Sequence, residues 1–109
     1  MIVRSWRARA SRDKAPLYVE HARSRVFPEI AAIAGHKGAL VLSRDADSGV
    51  EIVVLTFWAS MQAITAFAGA DPDRAVVEPE AEAVLLDYDR TVQHYEVATA
   101  SGLPFADLT

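Results

Sequence analysis

The chain has 109 residues, 51% of them apolar and 24% charged, with a formal net charge of -4 and no cysteine. These figures predict one folded domain that buries a core without covalent staples, and they exclude disulfide frameworks, thiolate metal sites and cysteine nucleophiles. With no N-terminal apolar signal stretch and no run near twenty apolar residues, a soluble cytoplasmic protein with no membrane partner is expected.

Taken in order, residues 2–10, IVRSWRARA, alternate as a strand, with Ile2, Arg4, Trp6 and Ala8 on one side. Ser11 or Asp13 can cap the next element, a helix, and Pro16 favours Asp13. Ala15, Val19, Ala22 and Val26 recur at helical spacing with Tyr18 beside them. Pro28 disfavours helix at Phe27, so a break is expected there, with a short second turn up to Gly35. Gly38 to Arg44 reads as a second strand, and DADSG at 45–49 has hairpin chemistry.

Val50 to Trp58 then carries apolar residues on both faces of its alternation. It is expected to be a central strand covered on two sides. A chain of this length supplies helices for one cover only, so a homodimer supplying the second is the expected assembly. Ser60 is a plausible cap for a helix whose buried face is Met61, Ile64 and Phe67, and Gly69 ends it. Residues 71–84 read as an acidic loop with a turn or two of helix, and Leu85 to Val97 as a long fourth strand.

This order of strand, helix, strand, strand, helix, strand predicts an α+β fold of the ferredoxin-like split βαβ plan, with a four-stranded antiparallel sheet. Its fourth strand would lie beside the first. Asp87, Asp89 and Glu96 could then face the arginines of residues 4–9, which accounts for basic residues crowding the N-terminal part and acids gathering at 71–97. Such cancellation, with the overall acidity, opposes nucleic-acid binding.

A chain opening MIVRSWRARA, a central strand ending TFWAS before a helix AITAFAG, an acidic DPDRAVVEPE loop and a closing strand VQHYEV together resemble the antibiotic biosynthesis monooxygenase family. The resemblance runs to Val97. It implies an ABM-like ferredoxin-like domain over residues 1–98, paired into a dimeric α+β barrel, with an irregular tail at 99–109 carrying Phe105. It further implies a pocket between helices and sheet, and a cofactor-independent monooxygenase oxidising a small quinol or anthrone with O2. Other uses of the barrel stay open: a non-catalytic binder of a small hydrophobic molecule, a haem-degrading enzyme, or an isomerase or cyclase.

On that resemblance Trp58 is expected to line the pocket, the competing role being a core side chain. His94 is the candidate proton acceptor, since imidazole takes a proton near neutral pH, or else a structural histidine in the interface. Arg4 and Trp6 could offer a cation and an aromatic wall to an anionic ring, or instead pair with acids and fill the core. Tyr18 and Phe67 are further candidates for contact with the substrate. His21 could approach the pocket mouth or simply be solvated, and His36 sits in a loop. The haem-degrading members use an asparagine and a second-helix histidine; this chain has no asparagine, and MQAITAFAG holds no histidine. No cofactor or metal is expected, because no phosphate-cradling glycine run or histidine pairing is present.

Overall fold

Strand alternation in residues 2–10 and 49–58 builds the centre of the sheet. The structure, a computed structural model, describes residues 1–103. Its elements are β1 (Ile2–Ala10), α1 (Ala15–His21), a π-helical turn (Ala22–Val26), α2 (Phe27–Ala31), β2 (His36–Ala46), β3 (Gly49–Trp58), α3 (Met61–Ala68), α4 (Pro79–Glu82), β4 (Asp87–Tyr88) and β5 (Gln93–Glu96). The sheet runs β2-β3-β1-β4 with β5 also on β1, and every pairing is antiparallel. This is the expected α+β, ferredoxin-like arrangement.

In β3, Val50, Ile52, Val54, Thr56 and Trp58 face the helices, where Ile52 and Trp58 are fully buried. Val53, Leu55 and Phe57 occupy the opposite face and are half-buried. The two-residue turn Asp47–Ser48 joins β2 to β3, with Ala46 paired to Gly49. Gly49 has φ +141°, and a Cβ there would collide with the Ala10 carbonyl oxygen, so only glycine lets the hairpin close on the end of β1. At α3 the Ser60 hydroxyl accepts from the Ala63 N–H at 3.2 Å, and Gly69 terminates the helix with its N–H on the Thr65 carbonyl.

Three local expectations are corrected. Asp13 does not cap α1; Lys14 holds the cap position without a side-chain bond, and the Ser11 carbonyl accepts from the Lys14 and Ala15 N–H groups. Helix is not broken at Pro28, because the chain widens into the π turn just before it and continues into α2. Such a turn displaces the carbonyls that a proline ring would otherwise meet, and Pro28, at the start of α2, needs no N–H partner.

The fourth strand is also not continuous. It pairs with β1 at Asp87–Tyr88, leaves it, and returns at Gln93–Glu96, so five strands replace four. In the gap the chain bonds the acidic loop instead, Ala75 N–H to the Arg90 carbonyl at 2.9 Å and Val92 N–H to the Asp73 carbonyl at 2.8 Å. Of the acids expected opposite the arginines, Asp87 pairs with Arg9, whereas Asp89 gives its main-chain carbonyl to the Trp6 indole N–H at 2.7 Å. Glu96 lies opposite Ile2. Arg7 pairs with Glu51 of the neighbouring strand, whose carboxyl is held below its ordinary range by Arg44 and then Arg7.

Two buried clusters fill the space under the helices. One centres on Ala10, Tyr18, Ala22 and Ile52, the other on Ile30, Trp58 and Ile64, with Phe27 packed against both. Residues 99–103 have no regular structure, and Phe105 lies outside the described residues. No helix among the described residues is long and apolar enough to cross a membrane.

Candidate functional site

Between the two clusters, helices and sheet enclose a cavity of about 740 Å³, its open mouth included. Its floor is the helix-facing side of β1 and β3, where Arg4, Trp6, Val54 and Thr56 lie together because residues two apart share a face. One wall comes from α1 and its continuation, through Tyr18, His21, Val26 and Ile30. Phe67 of α3 and the loop Val76–Glu78 complete the enclosure. The spacing from His21 to Val26 is five residues, which the π turn produces; unbroken α-helix would bring Arg25 round instead.

Arg4 is the principal polar feature of the floor. Only 5% exposed, it donates to the Arg74 carbonyl at 2.7 Å and to the Pro72 carbonyl, and its Nη1 meets His94 Nε2 at 3.2 Å. Its guanidinium also sits 5.6 Å from the centre of the Phe67 ring, within cation–π range. Burial lowers the Arg4 pKa and the nearby Asp73 carboxylate opposes that shift. A guanidinium nonetheless remains charged in a protein, so the cavity contains a fixed cation.

Thr56 stands directly opposite Arg4 in the β1–β3 register. Its hydroxyl oxygen accepts from the Trp58 indole N–H at 2.8 Å, which leaves the hydroxyl proton available to a second acceptor. Burial pushes the Tyr18 phenol well above its ordinary range, so this lining residue is a neutral donor at any working pH.

The sequence-predicted residues divide into two groups. Arg4, Trp6, Tyr18 and Phe67 come together around the cavity. Trp58 lies beneath it, fully buried, stacked on Phe67 at 5.6 Å and meeting the edge of His36 at 4.9 Å. His94 pairs with Arg4 across β1 and β5 but is not among the lining residues; its Nδ1 is 3.4 Å from Asp73 Oδ1. Since Arg4 can only donate, Nε2 accepts and Nδ1 carries the proton toward Asp73. Its pKa is lowered by burial and then by Arg4, against a smaller opposing effect of Asp73.

His21 does line the cavity, and its Nε2 is buried with no hydrogen-bond partner among the described residues. Val76, Val77 and Glu78 also contribute, although their sequence suggested only an acidic loop. At the mouth Arg25 spans Glu29 at 3.5 Å and Glu78 at 3.7 Å, linking α2 to that loop. Among the described residues no group of three or more His, Cys, Asp or Glu side chains gathers into a set that could hold a metal ion.

Solved structures share this architecture along nearly the whole chain. A Bacillus cereus protein assigned to the antibiotic biosynthesis monooxygenases aligns at TM-score 0.63 and 18% identity, covering 93% of this chain and 96% of that one. The ActVA-Orf6 monooxygenase of Streptomyces coelicolor, solved with nanaomycin D, aligns at 0.56 and 19%, covering 94% and 91%. The haem-degrader MhuD of Mycobacterium tuberculosis, solved with two haems in its active site, aligns at 0.60 and 20%, covering 94% and 100%. Identities this low establish the fold alone. No curated protein matches the sequence. The family model for antibiotic biosynthesis monooxygenase matches residues 1–79, which run from β1 through α3 to the loop that closes the cavity, and the chain belongs to that family.

Proposed function

We propose that the cavity binds a small phenolic or anthrone-like aromatic molecule and presents its anion to O2 without a resident cofactor, as a monooxygenase. The observation that carries this reading is the pairing of Arg4 and Thr56 on the floor of an otherwise largely apolar cavity. An aromatic ring seated between Trp6, Tyr18 and Phe67 would set its oxygen against that pair. A buried cation and a positioned hydroxyl stabilise an oxyanion most strongly where water is excluded. Anion formation is the demanding step, because an electron-rich carbanion or phenolate then reacts with O2 directly.

In this reading Arg4 and Thr56 hold the anion, and Trp58 acts through Thr56 by engaging its oxygen. His94, rather than meeting the substrate, orients Arg4. Nanaomycin D in the ActVA-Orf6 relative supports an aromatic ligand of this kind. The chain acts as a homodimer, its second copy covering the face of the sheet opposite the cavity.

One observation favours a second reading. With both His94 nitrogens engaged by Arg4 and Asp73, the cavity serves equally as a binding site without chemistry. Oxygen uptake by chelator-treated protein against anthrones, dihydroxynaphthalenes and catechols separates the two. Catalysed uptake that survives chelation is the expected result. Ligand-dependent thermal stabilisation with no product would replace the oxygenase with the binder.

A further inference from the structure

An anion at Arg4 requires a group to take the substrate's proton, and the three histidines differ in their ability to do so. His94 has one nitrogen against Arg4 and the other against Asp73. His36 packs on Trp58 and is not a lining residue. His21 is the histidine that both lines the cavity and holds a buried nitrogen without a partner among the described residues. Buried polar atoms are nearly always satisfied, so an orphan of this kind at a cavity wall calls for a ligand group.

We infer that His21 Nε2 is the proton acceptor for the substrate, an assignment that rests on the oxygenase reading above. Its position supports the role. His21 ends α1 and stands at the start of the π turn, across the cavity from the floor that carries Arg4. Proton and anion are thereby directed to opposite walls, the anion to the guanidinium and hydroxyl, the proton to the imidazole. The ring is 6.4 Å from Tyr18, and the other charged groups lining the same cavity are Arg4, Glu29 and Glu78.

The step balances with O2 as the named co-reactant. An anthrone CH2 loses a proton to His21 and leaves a carbanion conjugated with the oxyanion at Arg4. That carbon forms a bond to O2, giving a peroxide anion. His21 returns its proton to give a hydroperoxide; the remaining C–H bond then breaks, its electron pair forms the carbonyl as the O–O bond cleaves, and the departing hydroxide takes up that proton as water. One O2 is consumed and one water released for each quinone formed.

The test uses the intact chain, with anthrone for turnover and 1,8-dihydroxyanthraquinone as a non-reacting phenol whose visible spectrum changes on ionisation. The variants are His21→Gln and His21→Asn, each checked for its thermal midpoint. Expected are a fall in kcat of at least about 10-fold with KM within about twofold, in the range of general-base removal, and loss of dye ionisation on binding. Nitrogen-15 spectra of the wild-type chain with dye bound add a readout that needs no variant: both His21 nitrogens should become protonated.

A variant that keeps kcat within twofold while the wild type turns over removes His21 from the reaction and leaves the oxygenase standing. If nothing turns over but wild type still ionises the dye and protonates His21, the oxygenase reading fails while the proton-acceptor role holds. Absence of both turnover and ionisation overturns both.

Discussion

Arg4 joins the fold to the site through a single side chain. Replacing it by methionine keeps most of the volume but strands the Pro72 and Arg74 carbonyls and removes the cation. Each stranded buried acceptor costs about 1–3 kcal/mol, so Arg4→Met should lose roughly 2–6 kcal/mol in urea unfolding. In the fraction that remains folded, oxygen uptake should fall by about 100-fold, the scale of an oxyanion donor. Arg4→Lys should restore little of either, since an ammonium cannot fork to two carbonyls and His94 at once.

His94 gives a pH signature of defined sign. Burial and Arg4 depress its pKa in the folded chain, so the unfolded chain takes up the proton first as pH falls. Stability contributed by the neutral imidazole is therefore complete above the unfolded value of about 6.5 and declines below it, until the folded pKa is passed. Burial lowers His36 in the same sense. Thermal midpoints of wild type should fall between pH 7 and 5, and those of His94→Gln should fall less, keeping the part due to His36. The lowered carboxyls of Asp13, Glu51 and Asp87 act at more acid pH and do not enter this window.

Among the elements, the helical run 15–31 is the one whose phase sets the site. Its π turn inserts one residue, so Val26 rather than Arg25 follows His21 onto the cavity wall, while Arg25 is left outside to bridge Glu29 and Glu78. Inserting an alanine after exposed Ser24 should put Arg25, then five residues after His21, where Val26 now stands and rotate residues 25–31 by about 100° relative to α1. Helical circular dichroism should change little, whereas affinity for 1,8-dihydroxyanthraquinone should drop at least about tenfold, because misplaced lining groups lose their alignment. Unchanged affinity would show that the helix phase does not shape the cavity.

Much of this level was legible in the sequence. Ser60 capping α3, Gly69 ending it, the Asp47–Ser48 turn and the central place of β3 all derive from local chemistry, and each is present. The π turn left no comparable local mark, since Pro28 signals disturbance without saying whether the helix breaks or widens. The divided fourth strand was likewise hidden. Residues 85–97 alternate as one strand, and the departure from β1 depends on the Trp6 indole and the Asp73–Ala75 backbone competing for its main-chain groups.

For the whole molecule, the sheet has one face under helices and one without them. On that open face Leu42 is 45% and Tyr95 59% exposed, beside half-buried Val3, Leu40, Val53 and Leu55. Toward the other end of the same face the surface turns to ion pairs of Arg7, Arg44 and Glu51. An apolar patch rimmed by charge is the form of a subunit contact. Val53→Asp should therefore convert a dimer to a monomer in light scattering at micromolar concentration, with a lower thermal midpoint. A wild-type monomer at every concentration would leave β3 with no second cover and remove the proposed dimer.

The sequence by itself determined most of the elements, the split βαβ order and the face on which Arg4 and Trp6 lie, because alternation, caps and turn residues act over a few neighbouring positions. Only the tertiary structure decided where the histidines lie and what each one meets. His94 is tied to Arg4 across 90 positions, and Arg4 holds the loop carbonyls across 68 and 70. Partners so distant in the chain meet only when the sheet and the acidic loop have closed. That closure engages both nitrogens of His94 and leaves Nε2 of His21 buried at the cavity wall without a partner among the described residues.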